Sequence, residues 1–259
     1  MTSHQSRFGM PPMQIPGWRG LDGSRRPAGT KIMTLEYRWL YDTVRKRFES
    51  DEAMEAFLPT ALTPQELKQK GDDRYLSAMS QRVFQAGMQH SMVDAKWPEF
   101  EKAFSGFAPG QMALLGPQQI EDHMKNDRII RDRTKLQTIP KNARFILDIR
   151  QERGCGFGEF IAGWPGADTV GLWRLLAQRG ARLGGRSAAG FLRLAGKDTF
   201  LLTSDVVARL MAAGIIDHAP TSQRDMQIVQ DAFNRLQQDS GRLLCQLSAM
   251  LSLSINPGF

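Results

Sequence analysis

Apolar residues recur along most of this chain at intervals of three and four, the spacing that gathers them on one face of an α-helix. Glu36 to Phe48 sets Trp39, Val44 and Phe48 on a common face among basic residues. Thr63-Pro64-Gln65-Glu66 reads as a helix start, with Thr as N-cap, Pro at the first helical position and Glu closing a capping box. The spacing predicts a long helix over Asp72 to Met92, with Leu76, Met79, Val83 and Phe84 as its apolar face. Trp97-Pro98-Glu99-Phe100 starts another, ended by Pro109-Gly110, and two short helices precede Arg128-Ile129-Ile130. Leu136 to Ile149 is amphipathic, and Pro140 should make it start late or kink. Asp168 or Thr169 caps Val170 to Gln178. Thr221-Ser222 caps a long helix through Gln238 that Ser240-Gly241 ends, and Arg242 to Ile255 closes the core. Only Thr199 to Leu202 looks β-like, and it is too isolated for a sheet. The pattern predicts an all-α fold without internal repeats.

Composition narrows the class. The 259 residues, 41% hydrophobic and 24% charged, are ordinary for a globular protein. No apolar run approaches the roughly 20 residues that cross a bilayer, so no membrane partner is expected. Two cysteines cannot build a disulfide framework or a four-cysteine metal site, so neither metal nor cofactor is expected, and a reducing, cytoplasmic compartment is. Residues 1–31 lack an apolar segment and are rich in Gly, Pro, Ser and Arg. They read as a disordered leader ahead of one helical body over residues 32–259.

Charge adds a partner. Lys and Arg outnumber Asp and Glu by 34 to 27, a net +7. From Thr169 to Lys197 there is no acid at all, yet the stretch carries Arg174, Arg179, Arg182, Arg186, Arg193 and Lys197. Such a run is either a solvated helix face or a surface for a polyanion. Within it, residues 171–191 form two helical stretches joined by Arg179-Gly180-Ala181-Arg182-Leu183-Gly184-Gly185. The glycines let the backbone turn and approach a partner closely. A helix beginning after Gly185 turns unpaired N–H groups outward, as phosphate binding requires. Arg182, Gly184, Gly185, Arg186 and Ser187 are therefore the candidate phosphate-binding residues; a ligand-free helical hairpin is the alternative.

These residues also carry a resemblance. Leu176-x-x-Arg179-Gly180-x-x-x-Gly184-Gly185, followed by Ser187, resembles the hairpin of the helix-hairpin-helix DNA glycosylases. Phe84-Gln85-Ala86-Gly87-Met88, Trp97-Pro98-x-Phe100, and Arg128-Ile129-Ile130-Arg131-Asp132-Arg133-x-Lys135-Leu136 leading into Asn142-Ala143 resemble the 3-methyladenine DNA glycosylase I family. The likeness covers about residues 60 to 255. It implies a two-lobed helical fold, a monomer, double-stranded DNA with a damaged base as partner, and excision of an alkylated purine such as 3-methyladenine.

The resemblance also implies a catalytic aspartate at the start of the helix after the hairpin. Asp205 is the only acid between Asp198 and Asp217; alignment on Arg209 instead puts Ser204 in that slot. Gln85, His90, Trp39 and Trp173 are the candidate base-pocket residues, with Tyr37, Tyr75, Trp97 and Trp164 as further aromatic candidates, each also a natural core residue. Lyase-competent relatives carry an amine nucleophile where this chain has Arg186, so a monofunctional glycosylase is expected. A non-catalytic DNA-binding protein of the same fold is the alternative, and a helical scaffold with another role the third.

Three features depart from the family. Cys155 and Cys245 lack His partners at zinc spacing, Arg82 replaces the pocket glutamate, and His90 replaces a tryptophan. An arginine disfavours a cationic base unless it points away or is paired.

Overall fold

A computed structural model describes residues 35–255. The leader expected over residues 1–31 lies outside them. In chain order the helices are α1 (Tyr37–Arg45), α2 (Asp51–Phe57), α3 (Pro64–Gln69), α4 (Asp72–Gln85), α5 (His90–Ala103), α6 (Pro109–Met112), α7 (Pro117–Met124) and α8 (Arg133–Leu136). They continue with α9 (Thr138–Arg153), α10 (Phe157–Gly163), α11 (Thr169–Arg179), α12 (Arg186–Ala195), α13 (Ser204–Ala212), α14 (Gln223–Ser240) and α15 (Leu244–Leu253). There is no strand among the described residues, so the fold is all-α as predicted. Thr199 and Phe200, the β-like stretch, are buried in the connection between α12 and α13.

The capping signals act as the sequence predicts. Thr63 accepts from the Glu66 amide and Glu66 returns a bond to the Thr63 amide. Asp168, not Thr169, caps α11 through the Gly171 amide, and Ser222 caps α14 with Asp225 answering. Pro140 sits in the first turn of α9, where its missing N–H leaves no helical bond broken.

Three elements differ. α1 buries Leu40 and Val44, while Trp39 stays exposed. α4 stops at Gln85, because Ala86 turns extended and Gly87 takes φ +76°. α5 begins at His90, ahead of the expected Trp97, and carries Pro98 inside it. A helical Pro98 cannot bond the Asp94 carbonyl four residues back, a cost met here by burying Val93, Trp97 and Phe100 on one face.

α4 lies at the centre. It packs on α5, α9, α10 and α12, and buries Tyr75, Leu76, Met79, Val83 and Phe84. A second group, α1, α11, α13, α14 and α15, gathers around Phe200 and Phe233, whose rings stack at 4.1 Å. The two groups meet where α12 lies on α4.

Candidate active site

A cavity of about 800 Å³ opens at the seam between α4 and α12. Arg82 and Gln85 from α4, and His90 and Asp94 from α5, form one side. Trp173 from α11 and Gly185, Arg186, Ala189, Gly190 and Arg193 from the hairpin and α12 form the opposite side. Leu201, Leu202, Thr203 and Val207 close the floor.

The α4 side is fixed by a buried lysine. Lys135 is only 6% exposed, and its Nζ donates to the carbonyls of Phe84 and Ala86 at 3.0 and 2.8 Å. It thereby satisfies the free end of α4. That bond set pins the turn from which Gln85 and His90 project. Burial lowers the Lys135 pKa.

Gln85 is buried and donates to Asp94 Oδ1 at 2.8 Å; Gln81 donates to the same oxygen at 2.9 Å. Both amides use Oδ1, which leaves Oδ2 without a protein partner among the described residues. His90 and Asp94, four apart on α5, share one face. Asp94 is the one carboxylate on the cavity wall among the described residues.

Arg82 is the other charge on this side. Its side chain packs against Gly190: a Cβ added there would stand 2.3 Å from Arg82 Nε and 2.9 Å from Cζ. Only glycine in α12 permits the approach. Arg82 Nη1 stands 3.4 Å from His90 Nε2, and Nε is buried without a hydrogen-bond partner. Burial, and then the nearby Arg186, lower the Arg82 pKa.

The hairpin is held from below. Asn142 is fully buried; its Oδ1 accepts from the Ala181 amide at 2.7 Å and its Nδ2 donates to the Ala181 carbonyl at 3.2 Å. This clamp sets the turn between α11 and α12. Gly185 takes φ +55° and ψ −129°, a conformation open to glycine alone, and leads directly into Arg186 at the helix start. Arg182, Gly184, Gly185 and Arg186 are exposed and Ser187 is half-buried at the first turn of α12. The structure thus brings the candidate phosphate-binding residues onto one exposed turn.

Not all six basic residues of this stretch are available. Arg179 makes a two-pronged pair with Glu152 at 2.6 and 2.7 Å and lies over the Phe145 ring. Lys197 is committed to the Trp164 carbonyl at 2.9 Å, and Arg193 reaches toward the Thr199 carbonyl.

The remaining candidates divide. Gln85, His90 and Trp173 line the cavity together; Trp173 is buried, bonded through Nε1 to Thr199 Oγ1 at 3.1 Å and set edge-on to Phe200. Trp39 does not line it. Its ring lies under the Arg209 guanidinium at 4.8 Å, at the packing of α1 against α15. Asp205 does not line it either. Its carboxylate turns toward α15, where Oδ2 accepts from Ser252 Oγ at 3.2 Å, and Ser204 is exposed. One helical turn of α13 explains the split: Thr203 and Val207 face the cavity, so Asp205 and Arg209 face α15. Tyr37, Tyr75, Trp97 and Trp164 also lie off the wall.

Asp94, Arg193 and Thr203 also line the cavity although sequence reasoning did not single them out for it, and Arg82 was noted only as a departure. Starting α5 at Trp97 hid the His90–Asp94 spacing, which is the signal that finds Asp94.

The methyladenine glycosylase family model matches residues 66–174. The DNA-3-methyladenine glycosylase of Haemophilus influenzae is 35% identical over 77 residues, which is 30% of this chain and 41% of that relative. The chain therefore spans less than half the length of that relative. An 8-oxoguanine DNA glycosylase of Methanocaldococcus jannaschii superposes with a TM-score of 0.52 at 15% identity, over 85% of this chain and 94% of that one. The 8-oxoguanine glycosylase/lyase of the same organism, in complex with a 15mer DNA containing 8-oxoguanine, gives 0.51 at 17% identity over 83% and 95%. At these identities the structural likeness is one of fold. The region of likeness to the methyladenine glycosylase family, residues 66–174, holds Arg82, Gln85, His90, Asp94 and Trp173, and the helical fold is similar to that of the 8-oxoguanine DNA glycosylase.

Proposed function

We propose that the protein is a DNA glycosylase that holds duplex DNA by the α11–α12 hairpin, takes an everted base into the cavity and hydrolyses its N-glycosidic bond. One observation carries this reading: Gly185 and Arg186 belong both to the exposed hairpin turn and to the cavity wall. A phosphate held on that turn would place its neighbouring nucleotide at the cavity mouth.

Cleavage of the bond between C1′ and the base nitrogen passes through an oxocarbenium-like sugar. A fixed carboxylate beside it stabilises the developing positive charge and orients water. Asp94 is the wall residue suited to that work, since the two glutamine amides hold Oδ1 and leave Oδ2 open. Asp205 would need to leave Ser252 and swing around α13 to do the same. No lysine lies on the wall among the described residues, and Arg186 is a poor amine nucleophile, so water attacks directly and no lyase step follows.

Single-turnover base release from duplexes containing a modified base tests the reading. Asp94→Asn should slow release by about a hundredfold with duplex affinity kept, and Asp205→Asn should leave the rate close to wild type. The reverse ranking returns catalysis to Asp205. Salt-sensitive duplex binding without any base release supports the second reading, a non-catalytic DNA-binding protein of this fold, which the turned-away Asp205 favours.

A further inference from the structure

Resting on the excision reading, we propose that the cavity selects a deaminated purine, uncharged and with an acceptor oxygen at C6 beside an acceptor N7, over a purine carrying the positive charge of ring alkylation.

The argument begins with Arg82. It lines the cavity, and no ion pair holds it among the described residues; the one charged group that acts on it is Arg186. Asp94 is turned to Gln81 and Gln85 instead. Arg82 packs closely on the bare backbone of Gly190, in space that any larger residue there would fill. Its Nε has no acceptor, and its only side-chain neighbour at hydrogen-bond range is His90 Nε2. Arg186 and Arg193 add two more guanidinium-bearing side chains to the cavity from its opposite side. With Arg186 taken up by phosphate, Arg82 and Arg193 still outnumber Asp94 on the wall, so the cavity repels a cationic base, and the repulsion grows as DNA covers the mouth and removes water.

The same groups suit a neutral base with acceptors along one edge. A guanidinium pairs its fork of N–H donors with O6 and N7 of a purine. Adenine presents an amino donor at C6, which faces those donors badly; deamination turns that donor into a carbonyl acceptor. Guanine shares the acceptor edge but sits in an intact pair with cytosine, whereas hypoxanthine opposite thymine is weakly paired and everts at lower cost.

The chemistry supports the same choice. An alkylated cation leaves as a neutral base with no help. A neutral purine leaves with the electron pair of the broken C1′–N9 bond and is anionic until protonated. Water forms the new bond to C1′, and its proton ends on the released purine. A guanidinium beside the ring stabilises that departing anion.

The test measures single-turnover release by the whole protein from three otherwise identical duplexes containing hypoxanthine, 3-methyladenine or 7-methylguanine. Wild type should release hypoxanthine at least about tenfold faster than either methylated purine, because unpaired polar groups in a site penalise a mismatched edge strongly. Arg82→Glu should invert that ratio, and Arg82→Gln, which keeps the size and removes the charge, should lower hypoxanthine release without favouring the cations. Faster release of the methylated purines by wild type, or a ratio unmoved in Arg82→Gln, overturns the proposal. If no duplex releases a base, the excision reading fails by itself. Ligand-observed NMR titration at pH 6 with inosine and with 7-methylguanosine, whose intact glycosidic bond keeps the ring charge, then decides the cavity's preference: stronger inosine binding, lost in Arg82→Gln, upholds it, and stronger 7-methylguanosine binding overturns it.

Discussion

Arg82, Gly190 and Asn142 show how much single side chains decide here. Gly190→Ala brings a methyl group within 2.3 Å of Arg82 Nε and must expel the guanidinium from its seat. Alanine is favoured over glycine inside a helix by about 1 kcal/mol. The substitution is therefore expected to leave the melting temperature unchanged or raised while base release falls about tenfold. Unchanged release would show that Arg82 does not need its present position. Asn142→Ala removes both bonds to Ala181 and leaves a buried amide and carbonyl unmet, each worth about 1–3 kcal/mol. Urea denaturation should report a loss of that order, with duplex affinity falling as the hairpin loosens. At this scale the sequence was partly legible. Gln85, His90 and Trp173 reach the cavity wall because the motifs that carry them lie at the end of α4, the start of α5 and on α11. Asp205 lies off that wall, because chain position gives its helix turn but not which side of α13 it faces.

Among the elements, those bounded by their own local chemistry were legible and those ended by tertiary contacts were not. Thr63, Asp168 and Ser222 each bond an amide three residues on, an interaction complete within the segment. The end of α4 depends on Lys135, 51 residues beyond Phe84 in sequence, so the apolar pattern ran on past it. Pro98 misled for the opposite reason, since burial of Trp97 and Phe100 outweighs the bond that proline removes. The α14 cap also predicts acid behaviour. Hydrogen bonds from Ser222 hold the Asp225 pKa at about 2, below its ordinary 3.8. A lowered pKa stabilises the fold above the ordinary value and loses that contribution as pH falls toward 2. Wild type should be more stable than Asp225→Asn at neutral pH, and denaturation curves of the two should converge as pH approaches 2. A constant gap across that range would contradict the cap.

For the whole molecule, the acid-free stretch from Thr169 to Lys197 had suggested one continuous cationic face, and the fold divides it. Arg179 is spent on Glu152 and Lys197 on Trp164, while Arg182 and Arg186 stay exposed on the hairpin turn. Arg182→Ala with Arg186→Ala should weaken binding to all duplexes alike and reduce the salt slope by about 1 to 2, since each phosphate left unneutralised removes about 0.9. Arg179→Ala should instead lower thermal stability and leave that slope unchanged. Salt titrations of duplex affinity separate the two. No helix among the described residues is long and apolar enough to cross a membrane. The all-α architecture was legible because helical periodicity persists through nearly every segment. The cavity was not, because it forms only where α12 meets α4, two elements far apart in the chain.

The central claim is that this cavity hydrolyses the bond between a sugar and an everted base. The most direct measurement incubates excess protein with lesion-bearing duplex and quantifies free base and abasic sites together. Equal amounts of the two, strand breakage only after alkali, and near-complete loss in Asp94→Asn with binding retained are the predicted result. Tight duplex binding with no base liberated from any substrate, or liberation undiminished in Asp94→Asn, would contradict it.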